Sequence, residues 1–193
     1  MAITGASGSI YAVEFLRAVS AVYDRIYLIV SENAQIVMRN ELSHGIYDGV
    51  LNLDAICAGG ADNIEICSPD DICAPPASGS VVTDGMVIVP CSMGTAGRIA
   101  SGISDDLITR AADVCLKERR KLILAVRETP LNLVHLRNLT ALTEAGAIIL
   151  PASPGFYHKP TTIDDLVAFV VARIMQQLGI DQDLVEEWGS NPV

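Results

Sequence analysis

An α/β architecture, one doubly wound parallel sheet covered by helices on both faces, is predicted by three features of the sequence. Short apolar runs alternate with longer helical patterns, as happens when parallel strands are buried on both sides and joined by crossover helices. The runs at 26–30, 86–89, 122–126 and 147–150 fall far short of the roughly 20 apolar residues that span a bilayer, so they read as buried strands. Strand ends lead repeatedly into glycine or a small hydroxyl residue and then into a helix, once through Gly5-Ala6-Ser7-Gly8 and again through Ser31.

The elements follow in order. Residues 2–4 form a short first strand, and the glycine turn opens a helical pattern over 9–22. Residues 25–30 form the second strand, with Ser31 placed to cap a helix that runs to Glu41. The stretch from His44 to Pro76 is less regular, carrying Gly59-Gly60, Pro69 and Pro75-Pro76, with a strand at 63–67. A strand at 86–90 enters the loop Cys91-Ser92-Met93-Gly94-Thr95, followed by helical pieces to Gly102 and a strong helix over 104–119. A strand at 121–126, a helix at 131–145, a strand at 147–150, a Pro- and Gly-rich loop to Thr161 and a helix at 162–178 complete the chain. No linker or repeat interrupts it, and one Rossmann-like or flavodoxin-like three-layer sandwich over 1–193 is expected.

Composition narrows the partners. A net charge of -10 and a pI near 4.6 disfavour nucleic acid, whose phosphates attract clustered Lys and Arg. Cys57, Cys67, Cys73, Cys91 and Cys115 form no C-x-x-C pair and lie in apolar surroundings, which suits buried free thiols in a reducing cytoplasm. No secretion signal and no membrane span are visible. A chain that is half hydrophobic leaves apolar surface for other copies of itself, so a homo-oligomer is expected.

In an open parallel sheet, ligands collect beyond the carboxyl ends of the strands, where helix amino termini present free N–H groups. Gly5-Ala6-Ser7-Gly8, Ser31, Ser92-Met93-Gly94-Thr95 and Arg127-Glu128 fall there and form an anion-binding rim. The tetrapeptide is neither a dinucleotide fingerprint nor a nucleotide-phosphate loop. It reads equally as a mononucleotide phosphate site and as a tight turn, and Ser31 equally as an ordinary cap. Arg110 and Lys117, seven residues apart, return to within about 20° of one helix face, either as a paired anion grip or as a solvated stripe bridged by Asp113. Arg127 can fork onto phosphate while Glu128 orients it or handles a proton. Tyr157 donates to a phosphate or packs under its loop, and Arg173 binds an anion or snorkels. His44, His135 and His158 lack the paired spacing of metal ligands, and no G-x-S-x-G elbow supports a hydrolase.

The motifs T-G-A-S-G (4–8), A-P-P-A-S-G-S (74–80), P-C-S-M-G-T (90–95), R-A-A-D-V-C-L-K-E-R-R (110–120), R-E-T-P-L (127–131), P-G-F-Y-H-K-P (154–160) and V-A-R-I (171–174), with Trp188, run in order along the chain. In them the sequence resembles the flavin prenyltransferases of the UbiX type over nearly its whole length. The resemblance implies FMN held by Gly5, Ala6, Ser7, Ser31, Ser92, Met93, Gly94, Thr95 and Arg127. It implies dimethylallyl phosphate gripped by Lys117, Arg127, Glu128, Tyr157 and Arg173, with Arg110 contributing across a subunit contact. The implied reaction joins a dimethylallyl group to N5 and C6 of reduced FMN, releases phosphate without a metal, and yields prenylated FMN for a UbiD-type decarboxylase. Glu41 matches the carboxylate assigned to proton transfer in the second bond formation, assisted by Ser7, and the family suggests a homododecamer. Asp71-Ile72-Cys73 departs from members that carry an aromatic residue facing the prenyl pocket. Two other readings share the fold: an FMN-dependent cysteinyl-peptide decarboxylase, which lacks the basic phosphate grip, and a non-catalytic flavin-binding subunit.

Overall fold

The computed structural model describes residues 1–42, 46–47, 50–57 and 61–186. Its elements are β1 (Ala2–Ile3), α1 (Ser9–Val19), β2 (Ile26–Val30), α2 (Glu32–Glu41), β3 (Ile46–Tyr47), β4 (Val50–Leu51), α3 (Leu53–Ile56) and β5 (Ile64–Cys67). After a 3₁₀ turn at Pro75–Ala77 come β6 (Gly85–Cys91), α4 (Met93–Ala100), α5 (Leu107–Lys117), β7 (Lys121–Val126), α6 (Leu133–Glu144), β8 (Ile148–Pro151) and α7 (Ile163–Leu178).

Six strands form one parallel sheet in the order β5-β2-β1-β6-β7-β8. The chain builds outward from β1 to β5, then returns to the other side of β1 and builds outward again. This is the doubly wound order of the Rossmann type, and it opens a crevice between the carboxyl ends of β1 and β6. The sequence expectation of a three-layer α/β sandwich is met. Within the irregular stretch the structure adds a small antiparallel ribbon, β3 with β4, that the sequence reading did not contain. His44, Gly59, Gly60 and Trp188 lie outside the described residues.

The alternation of a doubly covered sheet is plain in β7. Ile123 and Ala125 join the core layer built with α1, α2 and α7, while Leu122, Leu124 and Val126 join the layer built with α4, α5 and α6. Leu122, Ile123 and Leu124 are fully buried, and truncating any one to Ala costs about 2–5 kcal/mol.

Capping chemistry shifts several helix boundaries from their predicted positions. The helix expected from Ser104 starts at Leu107, because Asp106 accepts the Thr109 amide and Thr109 returns a bond to the cap. Asn132 with His135 and Thr162 with Asp165 make the same reciprocal box for α6 and α7. The first helix ends at Val19 rather than Val22, its last turn loosening as Val22 and Tyr23 both donate to the Val19 carbonyl. All five cysteines are free thiols, four of them buried; Cys73 is exposed, since it lies in the turn-rich loop before Pro75. Among the described residues no helix is long and apolar enough to cross a membrane.

Candidate active site

The crevice at the switch of strand order is held together by Thr4. Its buried hydroxyl donates to the Pro90 carbonyl at 2.8 Å and accepts the Ser92 amide at 2.8 Å, fastening the end of β1 to the end of β6. Beyond Thr4 the chain turns sharply, with the Ala6 amide donating to the Thr4 carbonyl at 2.8 Å. Gly5 is required by proximity: a Cβ there would lie 2.6 Å from the Asn33 Cβ, so the loop and the first turn of α2 approach as only glycine allows. Gly8 is required by conformation, with φ at 112° as it caps α1.

Three helices, α1, α2 and α4, begin beside this crevice. Ser31 accepts the Ala34 amide at 3.1 Å, and Ser92 accepts the Thr95 amide at 3.3 Å while donating to the Thr95 hydroxyl at 3.1 Å. The first N–H groups of α4 have no acceptor within the helix, and a Cβ on Gly94 would meet nothing within 4 Å, so this terminus faces open space. The terminus of α1 is already filled. Glu41, at the far end of α2, accepts the Gly8 amide at 2.9 Å and the Ser9 amide at 2.8 Å. Partial burial pushes its carboxyl up. Hydrogen bonds from the Ser7 hydroxyl, the Ser9 and Gly8 amides and the Ser9 hydroxyl outweigh that effect and hold it below the usual carboxylate range. An anion arriving from outside therefore meets the open terminus of α4 rather than that of α1. Arg127, one residue past β7, reaches across the crevice and donates through Nε to the Ser7 carbonyl at 3.0 Å, while its amide donates to the Cys91 carbonyl at 3.4 Å.

The comparisons with known proteins bear directly on this rim. The Flavoprotein family model matches residues 1–175. The flavin prenyltransferase UbiX of Thermoplasma acidophilum is 49% identical over 186 residues, covering 96% of this chain and 97% of its own length; that of Pseudomonas aeruginosa is 44% identical over 193 residues, covering 98% and 92%. This chain belongs to the UbiX flavin prenyltransferase family. The crystal structure of AnUbiX (PadA1) in complex with FMN and dimethylallyl pyrophosphate superposes with a TM-score of 0.88 at 39% identity, covering 99% of this chain and 96% of that one. A dodecameric FMN-dependent UbiX-like decarboxylase from Escherichia coli superposes with a TM-score of 0.86 at 37% identity, covering 98% and 97%. The peptidyl-cysteine decarboxylase EpiD, at 16% identity and a TM-score of 0.59 over 92% of this chain and 94% of that one, shares the fold alone.

Of the residues that the UbiX resemblance singles out, Gly5, Ala6, Ser7, Ser31, Glu41, Ser92, Met93, Gly94, Thr95 and Arg127 gather at the crevice. Glu128 lies on the same edge and accepts its neighbour Thr129's amide at 3.1 Å. Tyr157 follows β8 and packs edge-on to Phe169 of α7, with ring centroids 5.7 Å apart. Three cations stand elsewhere within the chain. Helix α5 runs against the strand direction, so Lys117 at its end precedes the first residue of β7, about 20 Å of strand from Arg127. There Lys117 pairs with Glu118 beside Gly79. Arg110 donates to the Ala77 carbonyl at 3.0 Å and pairs with Asp113 at 2.8 Å. Arg173 donates to Gln176 at 2.6 Å, low on a helix whose end is tied to Lys121 at the opposite sheet edge. Of the expected grouping of Lys117, Arg127, Glu128, Tyr157 and Arg173, Lys117 and Arg173 lie away from the rim of their own copy, because α5 and α7 carry them toward the other end of the sheet.

Residues the sequence reading gave no role also build the site. Thr4 staples β1 to β6, and Asn33 sets the closeness that demands Gly5. Only the run Thr4-Gly5 at a strand end signalled either.

Proposed function

We propose that this protein is a flavin prenyltransferase that transfers a dimethylallyl group from dimethylallyl phosphate to N5 and C6 of reduced FMN, yielding prenylated FMN. The observation that carries this reading is the full-length identity of up to 49% with flavin prenyltransferases, joined to a crevice whose free helix terminus suits a mononucleotide phosphate. Ser31, Ser92, Met93, Gly94 and Thr95 would take the FMN phosphate, with Gly5, Ala6, Ser7 and Arg127 along the ligand. Bound reduced FMN supplies a π-rich nucleophile beside the allylic carbon.

The remaining chemistry belongs to the side chains. Breaking the allylic C–O bond sends its electron pair to phosphate, and cations around that leaving group lower the barrier. Arg127, Glu128 and Tyr157 on the ligand edge, together with Lys117, Arg110 and Arg173 supplied from neighbouring copies, form that grip in this reading. Glu41, kept ionised by Ser7 and the first amides of α1, is the base that takes the proton released as the second bond forms. Assembly is consistent with the surface: Leu133, Val134 and Leu136 on α6 are 60%, 62% and 49% exposed. A homododecamer is the proposed assembly, as in the dodecameric relative, and a UbiD-type decarboxylase the proposed recipient of the product. The cytoplasm is the proposed location.

The test is anaerobic incubation with reduced FMN and dimethylallyl phosphate, followed by mass analysis of the extracted flavin. A flavin heavier by one C5H8 unit is expected, and an unmodified flavin overturns the proposal. The cysteinyl-peptide decarboxylase reading finds support only in fold.

A further inference from the structure

Two of the cations that the proposed reaction draws from neighbouring copies already hold an anion of their own helix. Arg110 pairs with Asp113 at 2.8 Å, and Lys117 pairs with the next residue, Glu118. Neither pair is buried. The side chains are 36% and 43% exposed in the first and 46% and 37% exposed in the second, so a phosphate can reach either cation. Two other arginines of this region are committed differently. Arg120 directs its guanidinium at the backbone, donating to the Val81 carbonyl at 2.7 Å and the Gly79 carbonyl at 2.6 Å, and Arg98 is held by Asp105 and Asp106 together.

Glu118 stands against the local rule for its position. It caps the carboxyl end of α5, where unpaired carbonyls repel a carboxylate and a cation is the stabilising choice. Its pairing is nevertheless built in. The chain turns back at Arg119, with φ at 58°, and the loop over 77–81 is clamped by Arg110 on the Ala77 carbonyl at 3.0 Å and by Arg120 on those of Gly79 and Val81. Gly79 lies directly against the pair: a Cβ there would collide with the Glu118 carboxylate and stand 2.7 Å from the Lys117 ammonium. The hydrogen bond and charge of Lys117, with Arg120 behind, hold the Glu118 carboxyl below the usual range, so it is a full anion at neutral pH.

We propose that Glu118, and Asp113 for Arg110, are positioning residues that stand in for the substrate phosphate: each holds its cation until the phosphate of dimethylallyl phosphate, bound at a neighbouring copy's rim, displaces it. The proposal rests on the prenyl-transfer reading, which assigns Lys117 and Arg110 to that phosphate. Exchange favours the phosphate, which brings close to two negative charges and three strong acceptor oxygens against the single charge of a carboxylate. An exposed ion pair is weak, so Glu118 gives way. The stand-in sets affinity in both directions. It competes with substrate phosphate on entry and returns to Lys117 as product phosphate leaves.

Glu118→Gln in the assembled protein, assayed with saturating reduced FMN, tests it. The KM for dimethylallyl phosphate and the inhibition constant of inorganic phosphate are expected to fall together, each by about two- to fivefold, with the FMN dissociation constant unchanged. Asp113→Asn should move both constants in the same direction. Glu14→Gln, which removes the acid of the exposed Arg17 pair on α1, should leave them at the parent values and controls for net charge. Constants unchanged or raised by Glu118→Gln in an active parent overturn this proposal alone, as does an equal fall with Glu14→Gln; constants unchanged by Asp113→Asn overturn its part. A parent that leaves the flavin unmodified overturns the prenyl-transfer reading and this proposal with it.

Discussion

Thr4 illustrates how much a single buried hydroxyl can organise. Replacing it with Val keeps the volume but leaves the Ser92 amide without its acceptor, while the Pro90 carbonyl keeps only the backbone amide of residue 4 at 3.2 Å. An unsatisfied buried polar group costs about 1–3 kcal/mol, so Thr4→Val should lower the thermal midpoint by roughly 2–10 °C. FMN affinity, followed by flavin fluorescence, should fall with it, because Ser92 heads α4. Glu41 makes a pH-dependent contribution. Its folded pKa lies below the ordinary 4.5, so its stabilisation is fully present above pH 4.5 and is lost as pH falls through the lower folded value. Glu41→Gln should therefore cost about 0.5–1 kcal/mol at neutral pH and flatten the acid side of the stability profile, measured by urea unfolding at pH 7 and at pH 4. A variant as acid-sensitive as the parent would remove the carboxylate from this account.

At the scale of elements, the direction of α5 decides where its cations can act. The seven-residue spacing of Arg110 and Lys117 was legible in the sequence. The alternative left open for it, a stripe bridged through Asp113, is what Arg110 makes within one copy. Strand-to-helix alternation forces α5 to descend from the ligand edge, so its last residues arrive at the foot of β7. The start of α5 was less legible, because Ser104, Asp105 and Asp106 are all competent caps and only Asp106 meets a Thr109 able to answer it. Asp106 also binds Arg98 at 2.7 Å, tying α5 to α4. Asp106→Ala should destabilise the protein by about 1–2 kcal/mol, and Asp105→Ala by appreciably less, as urea midpoints will show.

For the whole molecule, the separation of Lys117 from Arg127 makes assembly part of the proposed site. Lys117→Ala and Arg127→Ala should each abolish prenyl transfer alone. Assemblies reconstituted from equal amounts of both should recover about a quarter of the sites, since each intact site needs one unaltered rim and one unaltered neighbour. No recovery would place both residues in one copy's site.

The sequence by itself determined the layered α/β fold, its strand and helix order and the loops that form the ligand edge, because period, turn chemistry and alternation are local properties. Its ordered motifs also carried the family resemblance, flavin included. Only the tertiary structure decided that Glu41 fills the terminus of α1, that Thr4 joins β1 to β6, and that Arg110, Lys117 and Arg173 lie away from the rim of their own copy. Those outcomes depend on contacts between segments 33 to 88 residues apart and on helix direction, which no local pattern records.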